Sequence, residues 1–110
     1  MLQDWYNEFN SRFFDGRLPL DVEVRFASSE DDKDQLGNDC MGVYVQSQKV
    51  ILQDPGLRPY WKVLQMNLLH EMVHVLMPDH VSHEATADHG MVFSHWIVKL
   101  FEKGAYDGIL

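Results

Sequence analysis

Hydrophobic and polar positions divide the 110 residues into helical and extended stretches. Leu2, Trp5, Tyr6, Phe9 and Phe13 recur at i, i+3, i+4, i+7 and i+11, the apolar stripe of an amphipathic helix over 2–14. Asp15-Gly16 supplies its stop. From Asp21 the period falls to two, with Val22, Val24 and Phe26 alternating against Asp21, Glu23 and Arg25, which predicts a strand with one buried face. The run Glu30-Asp31-Asp32-Lys33-Asp34 reads as a solvated loop, because clustered like charges repel one another and resist burial. Two β-rich pieces, about 41–46 and 49–53, follow with Ser47-Gln48 between them in the manner of a tight hairpin. A small three-stranded sheet of antiparallel type is expected.

Asp54-Pro55-Gly56 is turn chemistry, and Pro59 suits the first turn of a helix that runs to about Met77, before Pro78. That helix is apolar almost all round, which places it in the interior. Its main polar interruption is a narrow stripe of Asn67, His70 with Glu71, and His74, residues whose three- and four-residue spacing puts them on one face. Buried polar groups left unpaired cost about 1–3 kcal/mol each, so the stripe needs partners. After the polar stretch 79–88, Phe93, Trp96, Ile97, Leu100 and Phe101 mark a final helix that Gly104 terminates. Trp5, Trp61 and Trp96 fall at helical spacing and are expected in the core, Cys40 is expected as a small buried hydrophobe, and His95 on the surface.

Composition narrows the class. With 45% hydrophobic residues the chain can order a core, and its length fits one domain, 1–110, of α+β type. The formal charge of −8 disfavours direct DNA binding or attachment to anionic lipid, both of which draw on Lys and Arg. One cysteine excludes an internal disulfide framework and a multi-cysteine zinc finger. No apolar stretch is long enough for a membrane span and none follows a basic start as in a signal peptide, so a cytoplasmic monomer is the expectation. All six histidines fall between His70 and His95.

Within that stretch His70-Glu71-Met72-Val73-His74 is an H-E-x-x-H motif on a predicted helix. Imidazoles four residues apart point the same way and can share one zinc ion at about 2.0–2.1 Å. Glu71 beside them is placed as general base toward a water whose pKa zinc lowers to about 7. A catalytic zinc needs a third protein ligand and an open fourth position. His89 fits best: it precedes Phe93 by four and Trp96 by seven, extending the apolar stripe of the last helix back to its start, and Gly90 beside it permits close approach. His80 stands six residues after His74, but Met77 occupies the place where the longer H-E-x-x-H-x-x-G-x-x-H pattern needs glycine. His83 and Glu84 remain open as alternatives. Asn67 or Asp88 could orient a ligating histidine, and Tyr44, His83, His95 or Tyr106 could donate to a developing oxyanion. The strand around Val43-Tyr44-Val45 offers an edge to an extended peptide.

Together these residues resemble the SprT-like zinc metallopeptidases, the Spartan-related family. The block Phe9-Asn10-Ser11-Arg12-Phe13-Phe14-Asp15-Gly16-Arg17-Leu18-Pro19 is similar to the family's N-terminal FN-x-x-FF-x-G-x-LP signature. Leu68-Leu69-His70-Glu71-Met72-Val73-His74 and His89-Gly90-Met91-Val92-Phe93 match its later blocks in family order. The resemblance implies a compact zincin-like domain: an N-terminal helix, a small sheet, the H-E-x-x-H helix and a C-terminal helix. It also implies one zinc ion on His70, His74 and His89, Glu71 as catalytic base, and hydrolysis of a protein or peptide substrate, for the best-understood relatives proteins crosslinked to DNA. Neither the zinc ribbon nor the basic DNA-binding segment that many relatives carry is expected here. The rival expectation is a non-catalytic module of the same fold that uses zinc for stability, although such a site has no need of an unligated carboxylate.

Overall fold

A computed structural model describes residues 1–37, 41–77 and 91–109. The chain runs through α1 (Leu2–Phe13), β1 (Glu23–Phe26), α2 (Glu30–Leu36), β2 (Gly42–Val45), β3 (Val50–Gln53), α3 (Trp61–Leu76) and α4 (Met91–Glu102), with short 3-10 turns at Gln46–Gln48 and Pro55–Leu57. No helix among the described residues is long and apolar enough to cross a membrane.

The sheet has the order β1-β3-β2, and it is mixed, where the sequence suggested an antiparallel type. β2 and β3 form the expected antiparallel hairpin, but β1 lies parallel to β3 on its other side. Alternation along a strand records which face is buried and carries no information on direction. Direction is set instead by the connection: parallel neighbours need a crossover, commonly helical, and α2 with β2 supplies it. The hairpin turn is also longer than two residues, a 3-10 turn closed by Lys49 at φ 51°.

The segment read as a loop is thus a helix. Ser29 caps α2 by accepting from the Asp32 N–H, while the Asp32 carboxylate reaches back to the Ser29 N–H, a reciprocal capping box. Three acidic residues in its first turn suit the positive end of the helix dipole, so the charges that argued for a loop favour a helix start. Asp32 is buried and bonded by the Arg25 guanidinium of β1 through both carboxylate oxygens, tying α2 to the sheet.

α2 packs against β2 and β3. All four residues of central strand β3 are buried, as expected for a strand covered on both faces. Ile51 joins the main core with α1, α3 and α4, whereas Val50 and Leu52 form a second cluster with Val45. The main core holds Tyr6, Phe14, Leu64, Leu68, Leu69, Met72 and Leu100, none more than 1% exposed. α3 is less wrapped than its composition implies. Trp61 and Met66 face solvent, and Phe101 of α4 is 52% exposed; Trp5 and Trp96 are half-buried against the core. α4 ends before Gly104, which takes φ +84°, and His95 is exposed, both as expected.

Candidate metal centre and base

α3 carries the histidines because its apolar positions Leu64, Leu68, Leu69, Met72, Val73 and Val75 anchor it in the core, leaving the polar stripe on its remaining side. His70 and His74 are half-buried, their ring centroids 5.1 Å apart in an edge-on arrangement. Phe93 from the first turn of α4 closes over both, 4.9 Å from the His70 ring and 4.8 Å from the His74 ring. Ligand atoms of His70, Glu71 and His74 all lie within 4.8 Å of one another. Two imidazoles and a carboxylate at that separation are a donor set suited to a borderline cation such as zinc, whose bonds to imidazole nitrogen are about 2.0–2.1 Å.

Glu71 differs from its neighbours in being 8% exposed and held from the sheet. Its Oε1 accepts from the backbone N–H of Tyr44 at 3.0 Å, while Oε2 lies 4.0 Å from Nε2 of His70. The ladder explains why that N–H is available. Asp54 N–H donates to Met41 O, so with the alternation of an antiparallel pair Val43 and Val45 bond β3, and Gly42 and Tyr44 turn their N–H groups to the open side. The edge of β2 therefore faces α3, and one of its outward donors fixes the carboxylate. Reading side chains could not find this contact, because the donor is backbone; only the edge position of β2 could have signalled it.

A model of the SprT-like family matches residues 2–106. The chain belongs to the SprT-like family. Neither a curated protein nor a solved structure matches it.

In this SprT-like domain the N-terminal signature is a structural clasp. Phe9, Phe13, Phe14 and Leu18 are buried, Asn10 Nδ2 donates to Leu18 O and its Oδ1 accepts from Leu18 N–H, each at 3.0 Å, and the Tyr6 hydroxyl donates to Pro19 O at 2.6 Å. Asp15 and Gly16 take positive φ in the turn between. Burial raises the Tyr6 hydroxyl pKa well above its ordinary value, with nearby Tyr44 adding to the effect.

Of the remaining candidates, Tyr106 is buried and lines a cavity that His70 also lines; burial raises its pKa. Tyr44 reaches the site through its backbone. The Asn67 amide nitrogen is buried and has no hydrogen-bond partner among the described residues. Cys40, His80, His83, Glu84, Asp88, His89 and Gly90 lie outside the described residues.

Proposed function

We propose that this SprT-like domain is a zinc-dependent endopeptidase. The observation that carries the reading is the setting of Glu71, a carboxylate between the two histidines on α3 whose Oε1 accepts from Tyr44 N–H while Oε2 lies 4.0 Å from His70 Nε2. His70, His74 and His89 would hold the ion, His89 by its place four residues before Phe93, whose ring covers both other imidazoles. Bound zinc supplies Lewis acidity, which acidifies water and polarises a carbonyl. Glu71 Oε1 stays with Tyr44, and Oε2 takes the proton from the attacking water and returns it to the leaving amine. Phe93 excludes bulk water from the back of the imidazoles, strengthening the electrostatics of the site. The substrate is an extended protein segment. Direct contact with DNA is not part of this reading, given the charge of −8.

The test is Glu71→Gln in zinc-loaded protein, assayed on peptides, unfolded protein and DNA-crosslinked protein. Glutamine keeps an oxygen for Tyr44 N–H but no base, so kcat is expected to fall about 10²- to 10⁴-fold at unchanged zinc content. His89→Ala is expected to lose zinc, and His80→Ala to keep it. Wild-type turnover in Glu71→Gln, or zinc retained without His89 and lost without His80, overturns the assignment. Zinc bound stoichiometrically with no hydrolysis of any substrate assigns the domain to the non-catalytic rival.

A further inference from the structure

A cavity of about 530 Å³ opens between α3 and α4. Its α3 wall is Met66, Asn67 and His70, and its α4 wall includes Ile97, Val98 and Phe101. Three of these apolar groups are unusually open for their type, Met66 at 36%, Val98 at 54% and Phe101 at 52% exposure. Neighbouring large apolar groups left in water mark a surface made for contact. The volume lies in the range of small-molecule and side-chain sites, about 300–1,000 Å³.

The cavity is continuous with the candidate metal centre. His70 belongs to both, and Phe93 lines the cavity while its tilted ring packs against both imidazoles. Whatever fills it therefore lies against His70 and Phe93, next to the candidate centre. Asn67 lines it one turn before His70 on the same face of α3, and its Nδ2 is buried and without a hydrogen-bond partner among the described residues, so a turn of the carboxamide brings this donor to an occupant. A buried donor left unpaired is costly, and a peptide carbonyl is the acceptor an extended chain brings.

We propose that this cavity is a side-chain subsite selecting a large apolar residue, Phe or Leu class, beside the scissile bond, with Asn67 Nδ2 donating to the carbonyl of the same peptide segment. This rests on the peptidase reading above and adds its substrate preference. A lining of Met66, Ile97, Val98 and Phe101 offers no countercharge to an acidic or basic side chain, so selectivity arises both from apolar burial and from rejection of charge.

The experiment uses zinc-loaded full chain and quenched peptides that differ at one position, Phe, Leu, Gly, Asp or Lys. Cleavage of Phe or Leu peptides is expected to exceed that of Gly and Asp peptides about 10- to 100-fold in kcat/KM, the factor that burial of one such side chain provides. Val98→Glu, at an exposed position, is expected to erase that preference and raise relative cleavage of the Lys peptide. Asn67→Ala is expected to lower kcat/KM about 10-fold on all peptides alike, as loss of one buried hydrogen bond does. The same peptides are titrated against zinc-loaded Glu71→Gln protein by fluorescence anisotropy, which reads binding without turnover. Cleavage and binding indifferent to the varied residue overturn the subsite while leaving the peptidase reading intact. Apolar preference in binding with no cleavage by wild type keeps the subsite and overturns the peptidase. Concentration-dependent dimerisation that Val98→Glu abolishes, without side-chain preference, overturns the subsite and makes the cavity a self-association face.

Discussion

Replacing Asn10 by alanine is expected to cost the fold about 2–4 kcal/mol while leaving the metal centre intact. Asn10 is 2% exposed, and its carboxamide clasps the backbone of Leu18, itself 2% exposed, through a donated and an accepted bond of 3.0 Å each. Alanine removes both at once and leaves one buried N–H and one buried C=O unpaired. Each orphan costs about 1–3 kcal/mol, and partial entry of water into the vacated space keeps the sum in the lower half of that doubled range. A domain of this size loses about 4–8 °C in Tm per kcal/mol, so the melting point should fall by about 8–32 °C. Urea titration of the metal-free protein, followed by tryptophan fluorescence and circular dichroism, gives the free energy without a contribution from bound zinc. Asn7→Ala is the control: the position is exposed on the same helix and should stay within about 0.5 kcal/mol of wild type. An Asn10→Ala cost below about 1 kcal/mol, or equal costs for the two variants, refutes the clasp. The clasp lies between α1 and the chain leading to β1, so a folded Asn10 variant should bind zinc as wild type does.

Acid should weaken the link between α2 and the sheet. The Arg25 guanidinium first, and then the Ser28 N–H, hold the Asp32 carboxyl well below the usual carboxylate range. Its contribution is therefore present above the unfolded value of about 3.9 and is lost as pH falls from there through the folded value. Asp32→Asn should flatten the decline of urea stability between about pH 4 and pH 2, and an unchanged slope in that variant contradicts the assignment. Chelation is expected to abolish hydrolysis and to lower Tm, since zinc at a hundred times its Kd adds about 2.7 kcal/mol to a fold that alone binds it. In His70→Ala the zinc-dependent part of Tm should vanish; identical melting of zinc-loaded and chelated wild type overturns the site.

What the sequence made legible follows from where the physics is local. α1, β1, α3 and α4 announce themselves because an apolar stripe at period 3.6 or 2 is the face that meets the core, and Tyr6, Val24, Leu68 and Leu100 lie on those faces. His70, Glu71 and His74 come together for the same reason, since i and i+4 meet on any helix. The rest depended on neighbours distant in sequence. α2 has a local start signal in Ser29-Glu30-Asp31-Asp32, but a seven-residue helix this charged gains its stability from Arg25, on another element. Strand direction in β1 depends on the crossover, and the exposure of Trp61 on which elements happen to cover the start of α3.

That division separates the two halves of the chemistry. The histidine pair depends only on α3 being helical, whereas the setting of Glu71 depends on β2 lying at the sheet edge with Tyr44 N–H turned outward. A perturbation that shifts β2 while sparing α3 therefore displaces the proposed base, Glu71, before it disturbs the proposed ligands His70 and His74. Gly42 is the place where such a shift can be made. A Cβ there would lie 2.9 Å from Gln53 Oε1, the far end of a side chain that can turn aside, and 3.3 Å from the backbone O of Leu52, which can give way only by moving one strand against the other. Gly42→Ala consequently pushes β2 outward along the edge that holds Glu71, two residues from Tyr44. Zinc affinity should survive that change and kcat should not. Equal loss of both would mean that the sheet edge and the ligand helix move as one body, and that Tyr44 N–H is a consequence of the site's geometry with no part in setting it.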